Sequence, residues 1–195
     1  GSAGLFSIRM TDGVVRRCIA QAPGASAFVL EGGLAENCRA VSSTTGIQIG
    51  AGSARNCLVN TCTTGFSVYG SDCSLSECVS TGNSVGYTLA NDALMVNCTA
   101  DANFGAGFIG QSRCSFRNCE SKGNANGFSF QDHCTFVECT AYANANIGIS
   151  CGADSSISAC VINNNLVGGI VTGNGCSVER CVVNNNAGGI TVAAG

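Results

Sequence analysis

A cysteine recurs at nearly constant spacing along the whole 195-residue chain. Successive members are separated by 20, 19, 21, 20, 21, 20, 21 and 21 residues. The nine members of this column are Cys18, Cys38, Cys57, Cys78, Cys98, Cys119, Cys139, Cys160 and Cys181. Such a period is typical of a solenoid, in which each repeat packs only against its neighbours. The chain is therefore predicted to form one stack of about nine similar coils.

Positions within each repeat alternate between constrained and variable residues, as in β-strands. The position three residues before the column cysteine is always apolar, as at Val15, Leu75 and Phe136, and the position five before it is always small. A repeat of about 20 residues is too short for a pair of helices, and the helix-forming residues Ala, Leu, Glu and Lys never gather at the 3.6-residue helical spacing. We therefore predict an all-β fold in which short strands of successive coils stack in register at about 4.8 Å.

Two further rows mark the turns. Five residues after the column cysteine stands an unbroken run of asparagines: Asn83, Asn103, Asn124, Asn144, Asn165 and Asn186. Asparagine side-chain amides can form hydrogen bonds between successive coils, and asparagine tolerates left-handed backbone angles. This position is therefore expected to form both the ladder between coils and the turn within each coil. A glycine eight or nine residues after the cysteine, such as Gly65 or Gly86, is expected to supply a backbone angle that other residues resist.

These rows resemble the right-handed parallel β-helix family, the pectate-lyase-like architecture whose turns carry asparagine ladders and whose interior carries cysteine, aliphatic and aromatic stacks. The resemblance spans residues 5–195 and includes the segments Gly173–Val178 and Asn163–Asn165. It implies a single right-handed parallel β-helix domain, residues 1–195, with nine to ten coils of about 20 to 21 residues. Architecture alone is weak support for an activity.

Charge is scarce, and this limits the partners that the chain can bind. Only 11% of residues are charged, against about 25% in an average globular protein, and the net charge is -3. The sequence therefore predicts no nucleic-acid partner. Apolar residues occur in short runs far below the ~20 needed to span a bilayer, so no membrane insertion is expected.

No signal peptide is recognisable in the sequence. The architecture favours an extracellular, cell-surface or particle-associated location. Gly1 and Ser2 have the character of a cloning remnant, and no atypical segment caps either end of the repeats. The chain is thus expected to be a fragment of a longer protein, or to make end-to-end or homo-oligomeric contacts through its coil ends.

The fifteen cysteines are expected to be mostly free, buried thiols that act as small apolar residues. Neighbouring coils hold their Cβ atoms near ~4.8 Å, whereas a disulfide needs about 3.8 Å. Bridges across a bend within one coil remain an alternative. The pairs with a five-residue offset are Cys57/Cys62, Cys73/Cys78, Cys114/Cys119, Cys134/Cys139 and Cys176/Cys181. A linear column offers no tetrahedral cage for zinc.

One outward row gathers charged residues and contains the single histidine. Six residues before the column cysteine stand Asp72, Asp92, Arg113, His133 and Asp154, with Asp132 beside His133. We predict this row as the candidate binding site. Stacked at ~4.8 Å, two carboxylates would repel by about 1 to 3 kcal/mol, so splayed rotamers, a cation such as calcium at Asp72 and Asp92, or a shared proton must offset that cost. Their separation of ~5 Å also suits a retaining glycosidase.

The alternative interpretation of this row is a solvated turn whose charges alternate in sign, which contributes only ~0 to 1 kcal/mol. Arg16, Glu36 and Arg55 alternate in the same way at another position, as do Asp101 and Lys122. The family resemblance implies an Asp and His site for pectin hydrolases, and calcium with an arginine base for the lyases. Neither motif matches this sequence residue by residue.

The expected function is a rigid β-helix scaffold of a larger protein that presents a polar surface to polysaccharide. One alternative is a polysaccharide lyase or glycoside hydrolase whose catalytic candidates are Asp72, Asp92, Arg113 and His133. Another is a purely structural spike or spacer. Two observations weigh against catalysis: no repeat carries a long inserted loop that could build a cleft, and Tyr69 and Tyr142 are the best of few outward aromatic residues that could stack on sugar rings.

Overall fold

A computed structural model of the chain describes residues 6–193, which contain 28 β-strands and no helix. The strands form three parallel sheets, and each coil contributes one strand to each sheet. The described residues therefore contain no helix that could cross a membrane. The right-handed parallel β-helix of about nine turns that the sequence predicts is confirmed.

The strands, numbered in chain order, fall into sheets A, B and C. Sheet A contains β1 (Phe6–Met10), β4 (Ser26–Leu30), β7 (Thr45–Ile49), β10 (Thr64–Val68), β13 (Val85–Leu89), β16 (Ala106–Gly110), β19 (Asn126–Ser129), β22 (Ile147–Cys151), β25 (Gly168–Thr172) and β28 (Ile190–Val192). Sheet B contains β2 (Val14–Arg16), β5 (Leu34–Glu36), β8 (Ser53–Arg55), β11 (Ser74–Ser76), β14 (Leu94–Val96), β17 (Ser115–Arg117), β20 (Thr135–Val137), β23 (Ser156–Ser158) and β26 (Ser177–Glu179). Sheet C contains β3 (Ile19–Gln21), β6 (Arg39–Val41), β9 (Leu58–Asn60), β12 (Val79–Thr81), β15 (Thr99–Asp101), β18 (Glu120–Lys122), β21 (Thr140–Tyr142), β24 (Val161–Asn163) and β27 (Val182–Asn184).

Aromatic side chains fill the middle of the interior as two stacks. The rings of Phe66, Tyr87, Phe108 and Phe128 lie nearly parallel, with successive centroids 4.8, 4.6 and 4.7 Å apart. This spacing equals that of the strands that carry them, so backbone register sets the ring stack. The Tyr87 hydroxyl donates to the carbonyl of Cys78 at 2.7 Å, which satisfies the polar end of a fully buried ring.

The cysteine column lies at the bend between sheets B and C. All fifteen cysteines are free thiols in the structure, and twelve of them are buried. Each column thiol lies near the carbonyl two residues earlier, as Cys78 does with Ser76 at 3.3 Å. The column is thus a ladder of small apolar side chains that retain a weak hydrogen-bond partner.

The residue before each column cysteine has left-handed backbone angles, with φ between 48° and 56°. These residues are Arg17, Asn37, Asn56, Glu77, Asn97, Asn118, Glu138, Ala159 and Arg180. The angle reverses the chain direction between sheets B and C. Where two asparagines are neighbours, their amides pair on the outside, with 2.6 Å from Asn56 Nδ2 to Asn37 Oδ1 and 2.9 Å from Asn118 Nδ2 to Asn97 Oδ1.

The predicted asparagine ladder is confirmed, but its turn role was assigned to the wrong residue. The ladder side chains point inward and are buried, except that Asn186 is only partly buried. Each amide oxygen accepts the backbone N–H of the preceding rung, as Asn124 Oδ1 does from Asn103 at 2.8 Å. The left-handed residue is the one before each rung, for example Gly82, Ala102 or Asn164. The inward-pointing ladder asparagine and the left-handed turn residue are therefore two adjacent residues of each coil.

The glycine that recurs after each ladder position is also required for a different reason from the one expected. Gly65 and Gly86 do not have positive φ angles. A Cβ atom on Gly65 would collide with Ser80 Oγ and the carbonyl of Gly86, and would lie 3.1 Å from Asn83 Nδ2. Glycine is required here because the ladder and the next coil approach the backbone closely.

A charged ridge as the candidate functional site

The predicted charged row lies on one edge of the β-helix, in the turn between sheets A and B. We call it the charged ridge, and it comprises Asp72, Asp92, Arg113, Asp132, His133 and Asp154. Five of the six, all but Asp132, adopt left-handed φ angles between 54° and 62°. Backbone bonds join the turns of successive coils, with the N–H of Arg113 donating to the Asp132 carbonyl at 3.1 Å and that of His133 to Ala153 at 2.9 Å. The ridge is thus part of the rigid scaffold.

Arg113 holds Asp92 through two hydrogen bonds. Nε lies 2.7 Å from Oδ1, and Nη2 lies 2.9 Å from Oδ2. This bidentate contact and the positive charge of Arg113 lower the pKa of Asp92 below its ordinary value. Hydrogen bonding to Asp92 raises the pKa of Arg113, and the charge of Asp72 adds to that effect. The positive charge of Arg113 therefore offsets part of the repulsion expected between Asp72 and Asp92.

The other half of the ridge holds the histidine. His133 Nε2 lies 3.7 Å from Asp154 Oδ2, and both side chains are about three-fifths exposed, at 60% and 61%. Asp132 Oδ1 accepts the backbone N–H of Ala153 at 2.8 Å, so Asp132 ties its turn to the next coil.

The ridge offers hydrogen-bonding groups on an open surface. Over residues 6–193 the structure encloses no pocket, and no three His, Cys, Asp or Glu side chains converge as a metal site would need. Calcium at Asp72 and Asp92 would have to share the two Asp92 oxygens that already accept hydrogen bonds from Arg113. The geometry thus suits contacts to an extended ligand that lies along the edge.

Sequence reasoning missed a second polar group on the same edge. The Tyr69 hydroxyl donates to Glu31 Oε2 at 2.6 Å, and Arg9 Nη2 lies 3.0 Å from Glu31 Oε1. The Tyr69 ring passes over Gly50, where a Cβ atom would lie 2.7 Å from its Cε2. Desolvation, together with the hydrogen bond to Glu31, raises the pKa of Tyr69 to about 12. Glu31, Gly50 and Tyr69 occupy the same repeat position in three successive coils. The small Gly50 between two larger residues is the feature of the sequence that could have indicated this contact.

Comparison with known proteins identifies the family. A family model described as "Right handed beta helix region" matches residues 25–156. No curated protein matches the chain.

Two solved structures share the fold, both of them modules from Azotobacter vinelandii. The A-module of mannuronan C-5 epimerase AlgE6 superposes with a TM-score of 0.69 at 10% identity, covering 94% of this chain and 65% of that one. The A-module of mannuronan C-5 epimerase AlgE4 gives 0.57 at 11% identity, covering 96% and 76%. The chain spans about two thirds of the length of the AlgE6 module. From the family match and the coil geometry together, the chain belongs to the right-handed β-helix family.

Proposed function

We propose that this chain is a rigid β-helix module that binds polysaccharide along the charged ridge. The observation that carries the proposal is the repetition of hydrogen-bonding side chains at one turn position in five successive coils, from Asp72 to Asp154. A polymer with repeating units can contact several such positions at once, and linked contacts strengthen binding without any single strong one. Because the coils are joined by backbone bonds, little ordering is needed on binding.

The charges of the ridge favour particular chemical groups. Four carboxylates stand against one arginine, so sugar hydroxyls, which can donate to carboxylates, fit better than sugar carboxylates. Two proteins that share the fold are named as enzymes of mannuronan, a polysaccharide. At 10% and 11% identity this likeness supports only the broad class of ligand. The proposed ligand is therefore a hydroxyl-rich glycan.

Catalysis by the same residues is the second candidate function. It is favoured by the 3.7 Å contact of His133 with Asp154, since a histidine held beside a carboxylate is a common arrangement for general acid–base catalysis. Asp92 is poorly suited to act as the acid, because both of its oxygens accept from Arg113 and its pKa is lowered. A structural spacer, the third candidate, would have no affinity for glycans.

Calorimetric titration of the chain with neutral β-glucan, β-mannan and xylan hexasaccharides tests the proposal. The double variant Asp92→Ser/Arg113→Ser removes an ion pair without leaving either charge unpaired. We expect it to weaken binding by about tenfold or more, because charge-assisted hydrogen bonds are worth ~1.5 to 3 kcal/mol. The matched control Asp101→Thr/Lys122→Thr removes opposite charges that are neighbours on sheet C, and it should bind as the parent chain does.

The outcomes separate the three candidates. Absence of binding to every hexasaccharide, or equal loss in both double variants, would contradict the proposal. Product formation that disappears in His133→Ala would instead establish an enzyme. Because Thr81 already occupies the Asp101 and Lys122 column, the control is not expected to disturb the fold.

A further inference from the structure

Positive charge is concentrated in the first three coils, away from the ridge. Residues 9–55 contain five of the nine basic side chains and three of the twelve acidic ones. This stretch therefore carries a net charge of +2, and the remainder of the chain carries -5, which together give the overall -3. The uneven distribution points to a surface whose purpose differs from that of the ridge.

Four arginines surround the bend between sheets B and C in these coils. We call Arg16, Arg17, Arg39 and Arg55 the arginine patch. Register places Arg16 and Arg55 on either side of Glu36. Arg39 begins β6 beside Ile19, whose side chain is 74% exposed. All four arginines are thus brought to one outer corner of the rod.

The acidic residues nearby neutralise only part of this charge. Arg16 Nε lies 2.6 Å from Glu36 Oε2, and Arg55 Nε lies 3.6 Å from Glu77 Oε2. The guanidinium groups of Arg17 and Arg39 make no side-chain hydrogen bond or ion pair with any described residue. Four arginines are therefore balanced by only two carboxylates. The guanidinium groups of Arg17 and Arg39 are exposed to solvent.

The fold does not require arginine at these positions. Arg17 has a φ angle of 54°, and asparagine occupies the same position in the next two coils, at Asn37 and Asn56. Asparagine adopts such left-handed angles more readily than arginine does. At the Arg39 position, later coils carry Thr99 and Thr140. Neighbouring arginines repel one another, so they lower the stability of the fold. Because neutral residues are tolerated at these positions, the presence of arginine suggests a ligand of opposite charge.

We infer that the arginine patch binds the carboxylate groups of an acidic polysaccharide. The guanidinium fork matches the two oxygens of a carboxylate and binds them bidentately. Arg16 and Arg55 lie two coils apart, about 10 Å along the rod, so an extended polyanion can contact both. No aromatic residue lies within the patch to stack on nucleic-acid bases. The patch is on a different edge from the ridge, so this inference goes beyond the proposed function.

Binding of hexagalacturonate by the parent chain and by two charge-matched double variants tests the inference. The test variant is Arg17→Asn/Arg39→Thr, which introduces residues that the same columns already hold in other coils. The control is Arg117→Ser/Arg180→Asn, which removes two positive charges from later coils, where Ser76 and Asn118 occupy the same columns. Both variants have the same net charge.

We expect the test variant to bind hexagalacturonate at least about tenfold more weakly and the control to bind within about twofold of the parent. Affinity of the parent should fall as salt is raised. The inference is overturned if the parent does not bind hexagalacturonate, if both variants lose affinity equally, or if a single-stranded DNA of equal charge binds more tightly. Loss of hexagalacturonate binding with retained binding of neutral hexasaccharides would locate the defect in the patch and leave the ridge proposal standing.

Discussion

At the scale of single residues, burial limits the reactivity of most of the cysteines. Desolvation raises the pKa of Cys78 well above its usual range and that of Cys151 to about 12. A thiol in this state has almost no thiolate at neutral pH and is a poor nucleophile. The count and spacing of cysteines in the sequence already favoured packing over disulfides, because the coil spacing exceeds disulfide geometry.

Alkylation of the native protein at pH 8 should therefore modify at most three cysteines. These are the three partly exposed ones, Cys18, Cys176 and Cys181. In denaturant without reductant all fifteen should react, as measured by intact mass. More than three native adducts would mean that the ladder is accessible to solvent, and fewer than fifteen in denaturant would reveal disulfides within coils.

At the scale of turns and strands, the sequence predicted what repeats in side-chain type and missed what repeats only in backbone angle. The inward column three residues before the column cysteine is apolar in every coil, and the asparagine ladder repeats one residue type, so the period of both is visible in the sequence. The left-handed column holds Arg17, Glu138 and Ala159 as well as asparagines. The residues of this column share a backbone angle but differ in side-chain type, so a search for repeated side chains does not find them. The same limit applies to the ladder turn, where the angle belongs to the residue before each asparagine.

The variant Asn124→Ala should destabilise the β-helix by about 2 to 5 kcal/mol. Asn124 accepts from the backbone N–H of Asn103 and donates to the carbonyl of Ala100 at 2.9 Å, and its loss leaves both groups buried without their partner. The control Asn126→Ala replaces a half-exposed asparagine with the residue that its column holds at Ala106, and should cost about 0.5 kcal/mol or less. Guanidinium unfolding measures both, and equal losses would refute the role of the ladder.

At the scale of the whole molecule, the β-helix holds surface side chains at fixed intervals along its axis. It carries the charged ridge between sheets A and B, and the arginine patch between sheets B and C. The sequence predicted the stacking of the ridge, because its members recur at the coil period. The Asp92–Arg113 contact depends on rotamers, which the spacing does not determine. The sequence showed Arg16, Glu36 and Arg55 only as a row of charges that alternate in sign, and it did not single out Arg17 and Arg39.

An NMR titration of the isotope-labelled chain with the neutral hexasaccharides tests the ridge as a binding surface most directly. A glycan that lies along the edge must contact the same turn in successive coils. Amide shifts are therefore expected to change near Asp92, Arg113, His133 and Asp154, at intervals of 20 or 21 residues. Saturable shifts with that period would support polysaccharide binding by the ridge. Shifts confined to other edges, or none at millimolar sugar, would contradict it.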